Sequence, residues 1–270
     1  MNLSVSHIAW NSNETEEALA ILKKYGVQYL EVAPTMLFDE IKHVKDQDIT
    51  GLKGRYHKKG FSFVAMQSLL YRGPARSIFD TGEEVLLEYL SRIVRTANLL
   101  GIDNLVFGSP NNRIIKDYRA NNASQALSFF KKLAHLAKEN KVTICLEATP
   151  KEYGCDFITN TFDAIEFIKK IDHPNFKLNL DTGTIMMNNE DIEKLIQQAK
   201  DLIGHVHVSA PYVGEITGGV GVYTKVYESI RSLHYNGFVS LEMKRNITNS
   251  NLKALERNLK IFLKIFSPTN

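Results

Sequence analysis

The chain reads as eight short apolar runs separated by longer amphipathic stretches. The runs are LSVSHIAW from Leu3, YLEVAP from Tyr29, FSFVAMQS from Phe61, NLVFGSP from Asn104, TICLEATP from Thr143, FKLNLDTG from Phe176, HVHVSAP from His205 and FVSLEMK from Phe238. β-Branched and aromatic residues are frequent in them, as expected of strands. Their starts lie 26 to 43 residues apart, close to the ~30 residues that one βα unit occupies in an eight-fold barrel. Between them, ETEEALAILKKYG and TFDAIEFIKKI repeat apolar residues at i, i+3 and i+4 with charges opposite, which predicts helices. Asn13 and Thr161 are the expected N-caps, and Gly26 the expected stop of the first. KALERNLKIFLKIF predicts a last helix, followed by a short polar tail. Alternating strands and helices call for a parallel sheet, and eight units call for its closure. No linker, low-complexity run or break in composition divides the chain. Residues 1–270 are therefore expected to form a single α/β domain, a (β/α)8 TIM barrel.

Side chains of a strand alternate between its two faces. In the fifth run Ile144 and Leu146 oppose Cys145 and Glu147; in the sixth Leu178 and Leu180 oppose Asn179 and Asp181. In the seventh Val206 and Val208 oppose His205 and His207, and in the eighth Val239, Leu241 and Met243 oppose Ser240, Glu242 and Lys244. The apolar face meets the helices, so the polar face looks into the barrel. Four consecutive strands then aim charged or imidazole groups inward near their C-terminal ends, where TIM barrels keep their active sites.

Glu147, Asp181, His207 and Glu242 follow one another at 34, 26 and 35 residues, about one βα unit each. Three carboxylates brought together repel one another and are costly to desolvate. A divalent cation resolves that conflict, since buried charges need partners or metals. One imidazole, several oxygens and no thiolate suit Mn²⁺, Mg²⁺ or Co²⁺ better than a structural Zn²⁺ site, although Zn²⁺ is compatible.

These residues carry a resemblance. LEATP with Glu147, LDTG with Asp181, HVHVS with His207 and FVSLEMK with Glu242 resemble the xylose-isomerase-like TIM-barrel superfamily, in particular its sugar (phosphate) isomerase/epimerase branch. GVGVYTKVYESIRSLHYNGFVSLE, FGSPNNR and EVAP are similar to further segments of that family. The resemblance implies one metal held by the four residues, with Glu147 and Glu242 also moving protons and Asp181 and His207 acting as ligands only. It implies an isomerase or epimerase acting on a small sugar, sugar phosphate or hydroxy-keto acid through an enediolate. A dehydratase of the inosose or dehydroshikimate type, or a sugar-binding barrel without catalysis, would use the same four residues. Relatives are commonly dimers or tetramers, so a homodimer or homotetramer is implied as well. Thr184 stands where the tagatose-type epimerases usually carry a substrate-contacting histidine, and SAPYVGEITGG lacks the arginine they place past the ligand histidine.

Further candidates for contact with the substrate are His7, Gln67, Glu31, Arg113, Glu152, Tyr153, Thr184, His205 and Lys244. Gln67 offers an amide suited to hydroxyl groups. Glu31 is expected at the rim of the site or beside Lys244, and His205 one layer below His207 as its support. Arg113, after GSPNN, is a candidate for an anionic group or a surface salt bridge, and Tyr71 and Arg72 are placed to cover the site. TGGVGVY, from Thr217 to Tyr223, lacks the lysine of a P-loop and reads as the turn into a helix; a phosphate at that helix start stays open as an alternative. A three-metal nuclease of the endonuclease-IV type would need extra histidines where the chain has Gln67, Gly108, Ser109 and Thr184.

Charge narrows the partners. The net charge is +3, with 44% hydrophobic and 23% charged residues, ordinary for a globular protein and without the basic excess of a nucleic-acid binder. No run approaches the ~20 apolar residues of a membrane span. MNLSVSHIAW has no basic start and apolar run, so no signal peptide is expected. Two cysteines, Cys145 and Cys155, form neither a thiol metal motif nor a disulfide scaffold. A cytoplasmic protein with a small carbohydrate-like substrate is the expectation.

Overall fold

The computed structural model describes residues 1–117, 119–218 and 220–267. The expected polar tail at 268–270 and Gly219 of TGGVGVY lie outside the described residues. Eight strands form: β1 (Asn2–Ser6), β2 (Tyr29–Val32), β3 (Ser62–Met66), β4 (Asn104–Phe107), β5 (Thr143–Glu147), β6 (Phe176–Asp181), β7 (Ile203–Val208) and β8 (Phe238–Leu241). They pair in sequence order, all parallel, and close on themselves. Closure is made by β1 against β8, with Leu3 opposite Val239 and Val5 opposite Leu241. The fold is the single TIM barrel that the eight-fold pattern predicts.

The helices are α1 (Thr15–Lys24), α2 (Pro34–Leu37), α3 (Asp46–Lys58), α4 (Glu84–Leu100), α5 (Asn122–Glu139), α6 (Thr161–Ile171), α7 (Thr182–Met187), α8 (Ile192–Ala199), α9 (Val220–Ser232) and α10 (Asn251–Phe266). The longer ones form the outer ring. In α4, Leu86, Leu90, Ile93, Val94 and Ala97 are buried, the stripe that a 3.6-residue repeat lays against the sheet. Leu178, Leu180, Val206, Val208, Val239 and Leu241 are fully buried. Each such side chain removed from water contributes ~1.5–3 kcal/mol. No helix among the described residues is long and apolar enough to cross a membrane. Both cysteines are buried and unpaired.

Two expected caps lie elsewhere. Asn11, rather than Asn13, forms the reciprocal cap with Glu14, its N–H donating to Glu14 Oε2 at 2.8 Å. Asn160, rather than Thr161, caps α6 by accepting from the Asp163 N–H at 2.8 Å. Thr161 is already the first helical residue, whereas a cap must hold an extended backbone with its side-chain oxygen free to turn back. Gly26 does end the first helical segment, at φ +74°.

Arg113 is a structural brace. It is wholly buried and donates to Gly108 O at 3.3 Å, Ser109 O at 3.4 Å, Phe157 O at 3.4 Å, Ile158 O at 3.5 Å and the Thr149 hydroxyl. It therefore ties the loop after β4 to the loop after β5, and its burial and the absence of a carboxylate partner among the described residues exclude the surface salt bridge. Arg113→Ala would strand several buried carbonyls. We expect it to destabilise the fold by about 2–4 kcal/mol, read as a lower urea midpoint; a loss below 1 kcal/mol would contradict the bracing role.

Candidate metal centre

Glu147 and Asp181 are the last residues of β5 and β6, His207 lies near the end of β7, and Glu242 directly follows β8. The Glu242 N–H donates to Val208 O at 3.0 Å, extending the ladder by one residue. One donor atom from each of the four side chains lies within 4.8 Å of all the others. His207 Nδ1 is 3.0 Å from Glu147 Oε1 and 3.2 Å from Glu242 Oε2. Its other nitrogen donates to Glu31 Oε1 at 2.9 Å, so the ring is pinned and Nδ1 faces the carboxylates. Asn179, two residues before Asp181 on the same face, donates to Glu147 Oε1 at 2.7 Å.

The electrostatics of the cluster are those of a place short of positive charge. Burial pushes the Asp181 carboxyl up, and the nearby Glu147 carboxylate adds to it. For His207, burial opposes protonation, but Glu31, Glu242 and Glu147 together hold the imidazole well above its ordinary value. Neither lysine nor arginine lines the adjoining cavity. The donor set of three carboxylates and one imidazole fits a hard or borderline divalent cation.

The backbone is shaped for this cluster. A Cβ at Gly108 would stand 2.0 Å from Glu147 Oε2. Glycine inside or just after a strand often marks such a close approach. Gly108→Ala would push a flexible carboxylate aside rather than break the core. The expected result is an unchanged melting temperature and a metal affinity lower by about 10-fold or more, measured by calorimetry with Mn²⁺. An unaltered affinity would show that Glu147 takes no part in binding.

Glu31 corrects an expectation. It is neither at the rim nor beside Lys244, but wholly buried under His207, also 3.4 Å from His205 Nε2. Proximity to His207 and His205 outweighs its burial and holds its carboxyl far below the usual range. A carboxylate behind a ligand histidine fixes the ring's tautomer and orientation. Glu31→Gln should weaken metal binding by about 10–100-fold, again by calorimetry, while leaving the cavity's shape intact; a change under threefold would rule out this support.

The remaining candidates divide. Gln67 lines the cavity and is held by donating to Ser6 Oγ at 2.7 Å. His205 sits a layer lower, 3.0 Å from Ser240 Oγ, which in turn is 2.6 Å from Ser4 Oγ. His7 follows the last residue of β1 and is outside the lining of this cavity. It borders a separate cavity with Trp10, Leu30 and Tyr56, and burial lowers its pKa to about 4. Thr184 is buried and bonds Ala148 O at 3.1 Å and Asp181 Oδ2 at 2.9 Å, so it serves the α7 cap and does not reach the cavity. Glu152 is exposed and outside the cavity lining. Tyr153 accepts the Tyr212 N–H at 2.6 Å, and burial raises its hydroxyl pKa to about 12. Lys244 is exposed beyond the end of β8 and not inward-facing, because the strand has already ended. Tyr71 lines the cavity, whereas Arg72 borders a different one.

The cavity above the cluster has a volume of about 250 Å³. Glu147, His207 and Glu242 form its floor, Ser68, Asn111 and Asn112 supply further polar edges, and Ile8, Leu70, Val106 and Val213 an apolar wall. Gly108 and this wall were not among the expected site residues, and Asn179, though placed on the inward face, had no expected role. Asn179 was legible from strand parity, whereas Ile8, Leu70 and Val213 stand on loops that no periodicity places.

The model of the xylose isomerase-like TIM barrel family matches residues 19–265. An L-ribulose 3-epimerase of Methylomonas sp. (strain DH-1) is 21% identical over 237 residues, 86% of this chain and 79% of that one. The crystal structure of D-psicose 3-epimerase with D-tagatose from Clostridium cellulolyticum H10 superposes with a TM-score of 0.79 at 16% identity, over 98% of this chain and 99% of that one. The structure of the IolI protein with a bound zinc atom superposes at 0.75 and 16% identity, over 99% and 98%. At such identities the structural likenesses speak for the fold.

Proposed function

The chain belongs to the xylose isomerase-like TIM barrel family, and from that premise we propose that it is a divalent-metal-dependent sugar epimerase, an enzyme of the isomerase class acting beside a ketose carbonyl. What carries this is the convergence of Glu147 and Glu242 on one cavity floor, with Asp181 and His207 completing a four-donor cluster. The ketose 3-epimerases among its relatives support the same class of reaction.

Glu147, Asp181, His207 and Glu242 would hold the cation, with Mn²⁺, Mg²⁺ or Co²⁺ best suited to the donors. When bound, it would polarise the substrate carbonyl as a Lewis acid and make the neighbouring C–H acidic. The chain supplies the proton traffic. One of the two glutamates removes the α-proton, and the other returns a proton to the opposite face of that carbon, inverting it. Asn179 holds Glu147 by one oxygen, leaving Oε2 toward Gly108 and the cavity. Gln67 and Asn111, both on the cavity lining, would orient hydroxyl groups.

The test is solvent exchange. The protein with Mn²⁺ and a panel of ketoses in D₂O should incorporate deuterium next to the carbonyl and yield the epimer. A ketose panel that binds without any exchange, or a product lighter by one water, would overturn this function.

A further inference from the structure

Beside the metal-facing cavity lies a second one of about 380 Å³. It shares Ile8, Ser68 and Tyr71 with the first, and Met36, Lys244 and Arg245 close its far side. The two differ in electrical character. The first has Glu147 and Glu242 and no lysine or arginine; the second has two cations and no acid. Lys244 and Arg245 are anchored through their backbones, by N–H bonds to Val213 O at 2.9 Å and Ile8 O at 3.0 Å. Their charged ends are not matched. Arg245 Nη1 donates only to the Met36 thioether, at 3.4 Å, a weak acceptor. Among the described residues neither cation pairs with a carboxylate, unlike Lys24, Arg95 and Arg257 elsewhere on the molecule.

We propose that this second cavity is a subsite for the anionic end, phosphate or carboxylate, of a substrate whose carbonyl end lies over Glu147 and Glu242. The inference rests on the epimerase function for the carbonyl end and adds the chemistry of the other end. The second cavity suits an anion better than the first, whose lining carries Glu147 and Glu242 and no cationic side chain. In the second it meets a guanidinium able to bind two oxygens at once and an ammonium able to add a third contact. Lys244 follows Glu242 by only two residues, and the two cavities share Ile8, Ser68 and Tyr71, so one substrate chain can span both with its carbonyl at one end and its charge at the other.

The experiment compares wild type with Lys244→Ala, Arg245→Ala and Lys244→Arg, all supplied with Mn²⁺. Epimerisation is followed for a free ketopentose, its 5-phosphate and a ketose carrying a terminal carboxylate, and inorganic phosphate binding is titrated by calorimetry. For the wild type, an anion-ended ketose should show a KM at least about 10-fold below that of the free sugar. Both alanine variants should abolish that preference and weaken phosphate binding, and Lys244→Arg should restore part of it. Whichever of the phosphate and carboxylate arms shows the preference identifies the anion. Equal KM values for all three substrates, or a preference that survives both alanine substitutions, would overturn the subsite and leave the epimerase function standing. Phosphate binding that falls in both variants while no ketose is epimerised would uphold the subsite and overturn the epimerase function.

Discussion

Glu242→Gln is expected to lower the rate of α-proton exchange by 10²–10⁴-fold, about 3–5 kcal/mol of transition-state stabilisation, while the protein still takes up Mn²⁺. Glu242 lines the cavity and stands 3.2 Å from His207 Nδ1. Its backbone is fixed by the bond to Val208 O, so an isosteric amide keeps the position. The amide oxygen can still face a cation, but it cannot accept a proton at neutral pH. The loss should therefore appear in exchange and turnover far more than in metal content. Metal content by elemental analysis, alongside deuterium uptake in single-turnover conditions, separates the two. Exchange within twofold of wild type would remove Glu242 from the proton-transfer pair.

Asp181 should behave in the opposite manner, because it does two jobs. Its Oδ2 accepts from the Thr184 N–H at 2.8 Å and the Thr184 hydroxyl at 2.9 Å, and its Oδ1 accepts from Ser209 Oγ and, at 3.3 Å, from the Gly183 N–H. It thus caps α7 as well as facing the cluster. The Gly183 N–H also reaches Ser209 Oγ at 3.1 Å, so one Oδ1 site can be given up to a cation without orphaning a donor. Asp181→Ala should lower stability by about 1 kcal/mol, the value of a lost cap, and abolish metal binding at micromolar Mn²⁺. Asp181→Asn keeps a carbonyl for the cap but loses the charge. It is expected to melt near the wild-type temperature and bind Mn²⁺ more than about 100-fold more weakly. If Asp181→Asn binds metal normally, the carboxylate is only a helix cap.

Local contacts show in the sequence and long-range ones do not. Leu178, Asn179, Leu180 and Asp181 show their faces by alternation alone, since a strand offers only two directions. The same parity makes Glu31, between Leu30 and Val32, an inward residue. It does not tell that Glu31 lies under His207, because that contact joins β2 to β7 across a closed barrel. Arg113 misled for a related reason. An arginine in a polar loop reads as surface charge, and only the packing of the β4 loop on the β5 loop buries it against five acceptors. Lys244 continued the inward parity of Ser240 and Glu242 on paper, but the strand stops at Leu241, and parity has no meaning beyond the last ladder bond.

The amino-acid order alone determined the eight-fold repeat, the closed parallel sheet and the inward direction of Glu147, Asp181 and His207. These follow from local periods, two residues for a strand and 3.6 for a helix, which the backbone imposes on any chain. Only the tertiary structure decided which inward groups touch: the pinning of His207 by Glu31, the fit of Glu147 over Gly108, and the separation of an acidic cavity from a cationic one. Such contacts join residues far apart in sequence and depend on how closure and loop packing bring them together, so no local pattern encodes them.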